Sequence, residues 1–152
     1  MIRGNAMVGI EAIGRLKETI RKLSDLPRAV AVEAAPGINR LLREEFTNGT
    51  DPYGRPWAPL RPATLARGRR PPPLTDTKDL RDGTKATPRQ GRRSGLVLMT
   101  GAPYGYFHQV GFRVGKTDVE PRRVLPQSGL PAGWKIVLRD AARRCARRAT
   151  GR

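Results

Sequence analysis

The sequence predicts an α+β fold: long N-terminal helices, a small and mostly antiparallel β-sheet, and a C-terminal helix, joined by long Pro-, Gly- and Arg-rich loops. Three observations carry that expectation. Apolar residues in the first third recur at spacings of three and four. A short apolar run, Leu96-Val97-Leu98-Met99-Thr100, stands between turn formers. Helical periodicity returns from Pro131 onward. At 152 residues the chain reads as one domain. Residues 1–48 form a helical part, 49–73 an extended loop, 74–130 a sheet region with short helices, and 131–152 a basic helix.

Along residues 8–25, Ile13, Leu16, Ile20 and Leu23 make the stripe of an amphipathic helix, with Lys17, Glu18, Arg21 and Lys22 on its other faces. Ser24-Asp25-Leu26-Pro27 breaks or kinks it. Asp25 is placed to cap a second helix with Pro27 in its first turn. That helix runs over about residues 26–46, with Val30, Ala34, Ile38, Leu41, Leu42 and Phe46 inward and Arg40, Arg43, Glu44 and Glu45 wet. Pro36-Gly37 predicts a kink or interruption, and Gly49 suits a left-handed end.

The loop that follows carries the basic run Arg67-Gly68-Arg69-Arg70 and then three prolines, which favour an extended polyproline II segment. A short helix is expected to begin within residues 74–80, capped by Thr75 or Asp76. Residues 84–90 and 95–100 read as strands, the second as a central one. Residues 104–110 read as a short helix closed by Gly111. Residues 112–114 and 122–125 read as strands around a basic loop. The last helix sets Trp134, Leu138, Ala141, Ala142, Cys145, Ala146 and Ala149 on one stripe. Lys135, Arg139, Arg143, Arg144, Arg147 and Arg148 lie on another.

Composition narrows the function classes. The apolar fraction, 38%, lies below the usual globular share of about 45–50%, which also counts Gly, so the core is small. Thirty Lys and Arg against thirteen Asp and Glu leave +17. Such a surface attracts nucleic acid or acidic protein faces. One cysteine excludes an intrachain disulfide, and one histidine with one cysteine excludes a Cys/His zinc site. This cysteine usage fits a reducing cytosol. No signal-type apolar segment precedes Glu11, Arg15 and Lys17, and no apolar run reaches the ~20 residues of a membrane span. No membrane partner and no cofactor are expected.

Catalytic chemistry has little to build on. His108 lacks an evident acid or base partner, and Cys145 lies on the small-residue stripe of the last helix, where it fills core. Asp76 and Asp79 sit among Lys78, Arg81 and Lys85 and read as local charge pairs. No phosphate-binding glycine loop is present. For polyanion or partner contacts, Arg67, Arg69, Arg70, Arg92, Arg93, Arg143 and Arg147 are the candidates. No nucleic-acid-binding motif accompanies them, so contact with DNA would be to phosphates.

One pattern is more specific. Asp51-Pro52-Tyr53-Gly54-Arg55-Pro56-Trp57-Ala58-Pro59-Leu60, with Pro62-Ala63-Thr64, resembles the D-x-x-G-x-x-W-x-x-L-x-x-x-T segment of the Mu-type phage virion morphogenesis (tail completion, G-like) family. Three further stretches are similar to that family's elements, in the same order. They are Leu74-Thr75-Asp76-Thr77-Lys78-Asp79-Leu80, Tyr104-Gly105-Tyr106-Phe107-His108-Gln109-Val110-Gly111 and Pro121-Arg122-Arg123-Val124-Leu125. Lys78 stands where the family has Gly, so a differently made turn is expected there, and Gly105 stands for Ala.

The resemblance implies a non-enzymatic protein of the virion neck or tail end, made in the host cytoplasm. It would assemble as a homo-oligomeric ring between head connector or adaptor proteins and tail tube or terminator proteins, with packaged DNA a further contact. On that reading Asp51, Gly54, Trp57, Leu60, Tyr104, His108, Gly111 and Arg122 are scaffold or interface residues. Trp57 and Leu60 would anchor the loop on Phe46, and Tyr104, Phe107 and His108 would pack beside the apolar strand. The alternative is a small basic protein binding nucleic acid without sequence preference.

Overall fold

The first two helices, α1 (Gly4–Ser24) and α2 (Leu26–Asn48), are separated by a single residue in this computed structural model, which describes residues 4–89, 91 and 94–151, with side chains from residue 13 onward. Helical hydrogen bonding passes through the junction: Asp25 N–H donates to the Arg21 carbonyl and Ala29 N–H to that of Asp25. The Asp25 side chain caps nothing, because Asp25 already has helical backbone angles (φ −83°, ψ −6°) and its backbone serves in its place. Pro27 does sit in the first turn of α2.

α2 runs through Pro36-Gly37 without the interruption that was one of the two expectations there. Pro36 is exposed, and Gly37 has a packing reason. A Cβ at position 37 would lie 2.7 Å from Val137 Cγ1, so the glycine admits close approach of the last helix, α6 (Ala132–Thr150). α2 buries Ala31, Ala34, Ala35, Ile38, Leu42 and Phe46, and α6 buries Trp134, Ala141 and Cys145. Glu45 corrects the assignment of the wet face. It lies seven residues after Ile38 and three after Leu42, on the inner stripe, and is only 7% exposed. Gly49 ends α2 with φ 67° and returns its N–H to the Glu45 carbonyl.

Strands β1 (Lys85–Arg89) and β2 (Gly95–Met99) pair antiparallel from Lys85↔Met99 to Arg89↔Gly95. They form a two-stranded hairpin, so β2 is not a central strand and is only half-buried. Asn39 on α2 explains one free edge. Its Nδ2 donates to Ala86 O (2.9 Å) and its Oδ1 accepts from Ala86 N–H (2.8 Å), so an amide side chain takes the place of a third strand.

The remaining elements are short: α3 (Pro62–Ala66), α4 (Asp79–Gly83), α5 (Gly105–Val110), and a second hairpin of β3 (Phe112–Val114) with β4 (Thr117–Val119). Residues 122–125 form no strand; the partner of β3 lies just across Gly115-Lys116. α4 starts later than expected because Leu74 and Lys78 have left-handed backbones, φ 68° and 63°. The triple-proline stretch bends and turns rather than staying extended, with a cis Pro71–Pro72 bond.

The described residues hold two core clusters. Ile38, Leu42, Ala86 and Trp134 form one between the long helices and the hairpin. Phe46, Trp57, Leu80, Ala102 and Val124 form the other, under the loops. Leu125 packs against both. The fold is α+β with long terminal helices and small antiparallel pairing.

Candidate functional site

The second cluster is where the separated motif segments meet. Asp51 starts the junction. Its Oδ1 accepts from the N–H groups of Tyr53 and Arg55 (both 2.9 Å), and its Oδ2 from Arg55 Nε (2.8 Å). Gly54 donates its N–H to the Asp51 carbonyl and takes φ 81°, a conformation that favours glycine. The turn delivers Trp57 edge-on to Phe46, ring centroids 5.4 Å apart, and Trp57 is 6% exposed.

Trp57 is then tied to the last segment: its Nε1–H donates to Arg123 O at 2.8 Å. The loop is held from the other side by Arg122, whose Nε and Nη2 donate to the carbonyls of Ala58 (2.8 Å) and Pro59 (2.9 Å). Burial, then the charge of Arg61, lowers the Arg122 pKa. Arg122 N–H reaches the His108 carbonyl at 2.7 Å.

Gln109 completes the knot. Its Oε1 accepts from Val124 N–H (3.0 Å) and Leu125 N–H (3.1 Å), while Nε2 donates to Leu125 O (2.7 Å). These side-chain bonds occupy the 122–125 backbone, which is why no strand forms there. The sequence signal for Gln109 is its place inside the 104–111 segment, which does not mark it out from its neighbours. The second segment contributes Leu80 to the buried cluster and packs Leu74 against it.

α5 lies differently from expectation. His108 packs edge-on between Tyr104 (5.9 Å) and Phe112 (5.6 Å), and Phe107 meets Phe112 and Tyr106. The rings thus cluster toward β3 rather than β2, and Phe107 is 51% exposed. The Gly105 backbone of α5 comes close to Thr100, just past the end of β2. A Cβ on Gly105 would come 2.7 Å from Thr100 Cβ, so the alanine common in the resembling family does not fit without movement. Gly111 takes φ 82°, and a Cβ there would also press on Val119 O at 3.0 Å.

Leu60 is half-buried and lines an open groove of about 420 Å³ with Arg69, Arg70, Asp76, Tyr104, His108 and Arg122. It is not among the residues of the Phe46–Trp57 cluster, so Trp57 anchors the loop on Phe46 without it. His108 is half-buried; burial first, then the Arg122 charge, lowers its pKa. Burial and Arg122 are the influences on its charge, with no carboxylate among them, and its Nδ1 is buried without a hydrogen-bond partner among the described residues. Those residues also hold no group of three His, Cys, Asp or Glu side chains able to bind a metal. No described helix is long and apolar enough to cross a membrane.

The described candidate cations differ in their surroundings. Arg69 pairs with Asp76, Arg67 closes α3, and Arg70 is exposed. Arg92 and Arg93 lie outside the described residues. On α6, Arg144 and Arg148 both hold Glu33 of α2, at 2.7 and 2.8 Å. Those bonds keep Glu33 below the usual carboxylate range. Arg143 and Arg147 are exposed on α6.

A second open surface is apolar. The α1 stripe finds no cover: Ile13, Leu16, Ile20 and Leu23 are 55, 60, 57 and 44% exposed. Leu23 also borders a groove of about 510 Å³ lined by Leu26, Val30, Leu96, Leu130, Trp134 and Leu138. The stripe therefore runs without a gap into a hollow of the same character. Comparison of this chain with protein-family models, with curated proteins and with solved structures finds no match.

Proposed function

We propose that this chain is a structural, non-enzymatic assembly protein of a phage virion, of the neck or tail-completion type. It works as a homo-oligomeric ring joining head connector proteins to tail tube or terminator proteins. The observation that carries the reading is the convergence of four motif segments on Trp57, Gln109 and Arg122. Apart from the Asp51–Arg55 ion pair, the side-chain bonds described in that junction go to backbone groups, which suits a scaffold, and among the described residues they place no acid, base or nucleophile pair.

The open apolar surface supports self-association. Each copy carries an uncovered helical stripe and an apolar groove. The occupant we assign to the groove is α1 of a neighbouring copy. At about 1.5 Å per residue the 21-residue α1 is long enough to reach a neighbour while rooted in its own subunit. One stripe meeting one groove is a heterologous contact, the kind that closes into rings.

Native mass spectrometry tests this. The wild-type chain should give discrete higher oligomers. The double substitution Leu16→Glu, Ile20→Glu changes only exposed side chains, so it should give monomers with an unchanged melting temperature. A wild-type chain that stays monomeric in vitro and does not join virions would overturn the ring.

A further inference from the structure

The six basic residues of α6 look equivalent in the sequence, and the structure divides them into two sets. Arg144 and Arg148 face α2 and grip Glu33. They are part of the contact between the two long helices. All six are exposed, and what sets Lys135, Arg139, Arg143 and Arg147 apart is that none of them pairs with Glu33. They follow one another at intervals of four residues, so they form a single ridge inclined by about 26° to the helix axis, with neighbouring side chains about 6 Å apart along it. Lys135 and Arg147 touch no acidic group among the described residues. Arg139 and Arg143 share only Asp140, at 3.5 and 3.9 Å, in an exposed arrangement of the kind that contributes little.

We infer that this ridge is a binding site for the phosphate backbone of duplex nucleic acid. Four cations over about 18 Å of helix face a polymer that carries a negative charge about every 1.7 Å along its axis, so each cation finds a phosphate whatever the register. Three of the four are Arg, whose planar guanidinium binds phosphate oxygens in pairs. The other side of α6 is locked into the core through Trp134, Ala141 and Cys145, so the ridge is presented on a rigid rod. An acidic protein face fits less well. Protein interfaces are built on an apolar centre, and this ridge has no apolar member; Ile136 is the exposed large apolar residue of α6.

No side chain here is placed to read bases. Affinity should be indifferent to sequence and set by counterion release. The inference stands apart from the ring, since a monomer carries the whole ridge.

The test is fluorescence anisotropy with a short labelled DNA duplex of random sequence, titrated at several salt concentrations. The full chain should bind with log K falling linearly in log salt. Replacing Arg143 and Arg147 by Gln should weaken binding and flatten the slope by about two units. Two comparisons give that result its meaning. Arg40→Gln with Arg43→Gln removes the same charge from the exposed face of α2 and should change the slope much less. Arg144→Gln with Arg148→Gln should lower the melting temperature while leaving the slope near that of the wild type. Equal flattening by the α2 pair would overturn the inference, because net charge alone would then explain binding. Absence of duplex binding, with a polyglutamate peptide captured through Arg143 and Arg147 instead, would also overturn it and assign the ridge to an acidic protein.

Discussion

Glu45 is the residue whose chemistry departs furthest from its sequence appearance. It follows Glu44 in a charged stretch, yet it points inward and touches water hardly at all. Burial raises its pKa to about 8, opposed by the Trp134 indole N–H and reinforced by Asp51. Trp134 Nε1–H lies 3.4 Å from Oε1, and Oε2 has no partner. The folded chain therefore holds a proton between the ordinary carboxylate pKa of 4.5 and about 8 that the unfolded chain releases. Folding stability must fall as pH rises through that window and level off above it. Urea denaturation at a series of pH values should show this decline, and Glu45→Gln should remove it, so that the variant gains on the wild type toward pH 8. Lys78 behaves otherwise. At the turn a lysine occupies the left-handed conformation, φ 63°, with an associated steric cost. Lys78→Gly should raise the unfolding free energy by roughly 1 kcal/mol, the strain relief less the entropy cost of glycine. A loss of stability would show that Lys78 makes a contact that outweighs its strain.

Elements were legible where the period was long and the neighbour was another long element. The stripes of α2 and α6 are read directly from apolar spacing, and each packs chiefly against the other. The spacing in α1 is equally regular, but periodicity names a face without naming what covers it, and among the described residues Ile13, Leu16, Ile20 and Leu23 stay exposed. The absence of a strand at 122–125 was not legible, because it depends on the Trp57 and Gln109 side chains occupying the hydrogen-bonding groups of that backbone. The contribution of Gly83 and Gly101 was hidden for a similar reason. A Cβ on Gly101 would lie 2.3 Å from Gly83 Cα, and one on Gly83 would lie 2.5 Å from Gly101 Cα. Backbone cannot yield as a flexible side chain does, so α4 and the chain leaving β2 touch only because neither residue has a side chain. Gly101→Ala should destabilise by about 1–3 kcal/mol, the usual cost of overpacking, measured by chemical denaturation. A change within about 0.5 kcal/mol, as for ordinary surface positions, would mean that the crossing separates at little cost.

For the molecule as a whole, the +17 charge and the open apolar surface act in opposite directions. Copies of this chain repel one another at long range, and the stripe and groove on each copy favour contact at short range. Salt separates the two terms. Raising ionic strength shrinks the screening length from about 30 Å at 0.01 M to about 3 Å at 1 M, which removes repulsion between copies and leaves apolar burial intact. Binding of the α6 ridge to phosphates changes in the other direction, since added salt reduces the gain from releasing counterions. The same protein should therefore assemble more completely, and hold duplex DNA less tightly, as salt rises. Light scattering coupled to size exclusion measures the first trend and anisotropy the second. Leu16→Glu with Ile20→Glu should abolish the first and leave the second. Arg143→Gln with Arg147→Gln should weaken the second and, by reducing repulsion, shift assembly toward lower salt. If both pairs moved both trends together, the apolar and basic surfaces would be one interface, and the separation of α1 from α6 drawn from their exposed faces would be wrong.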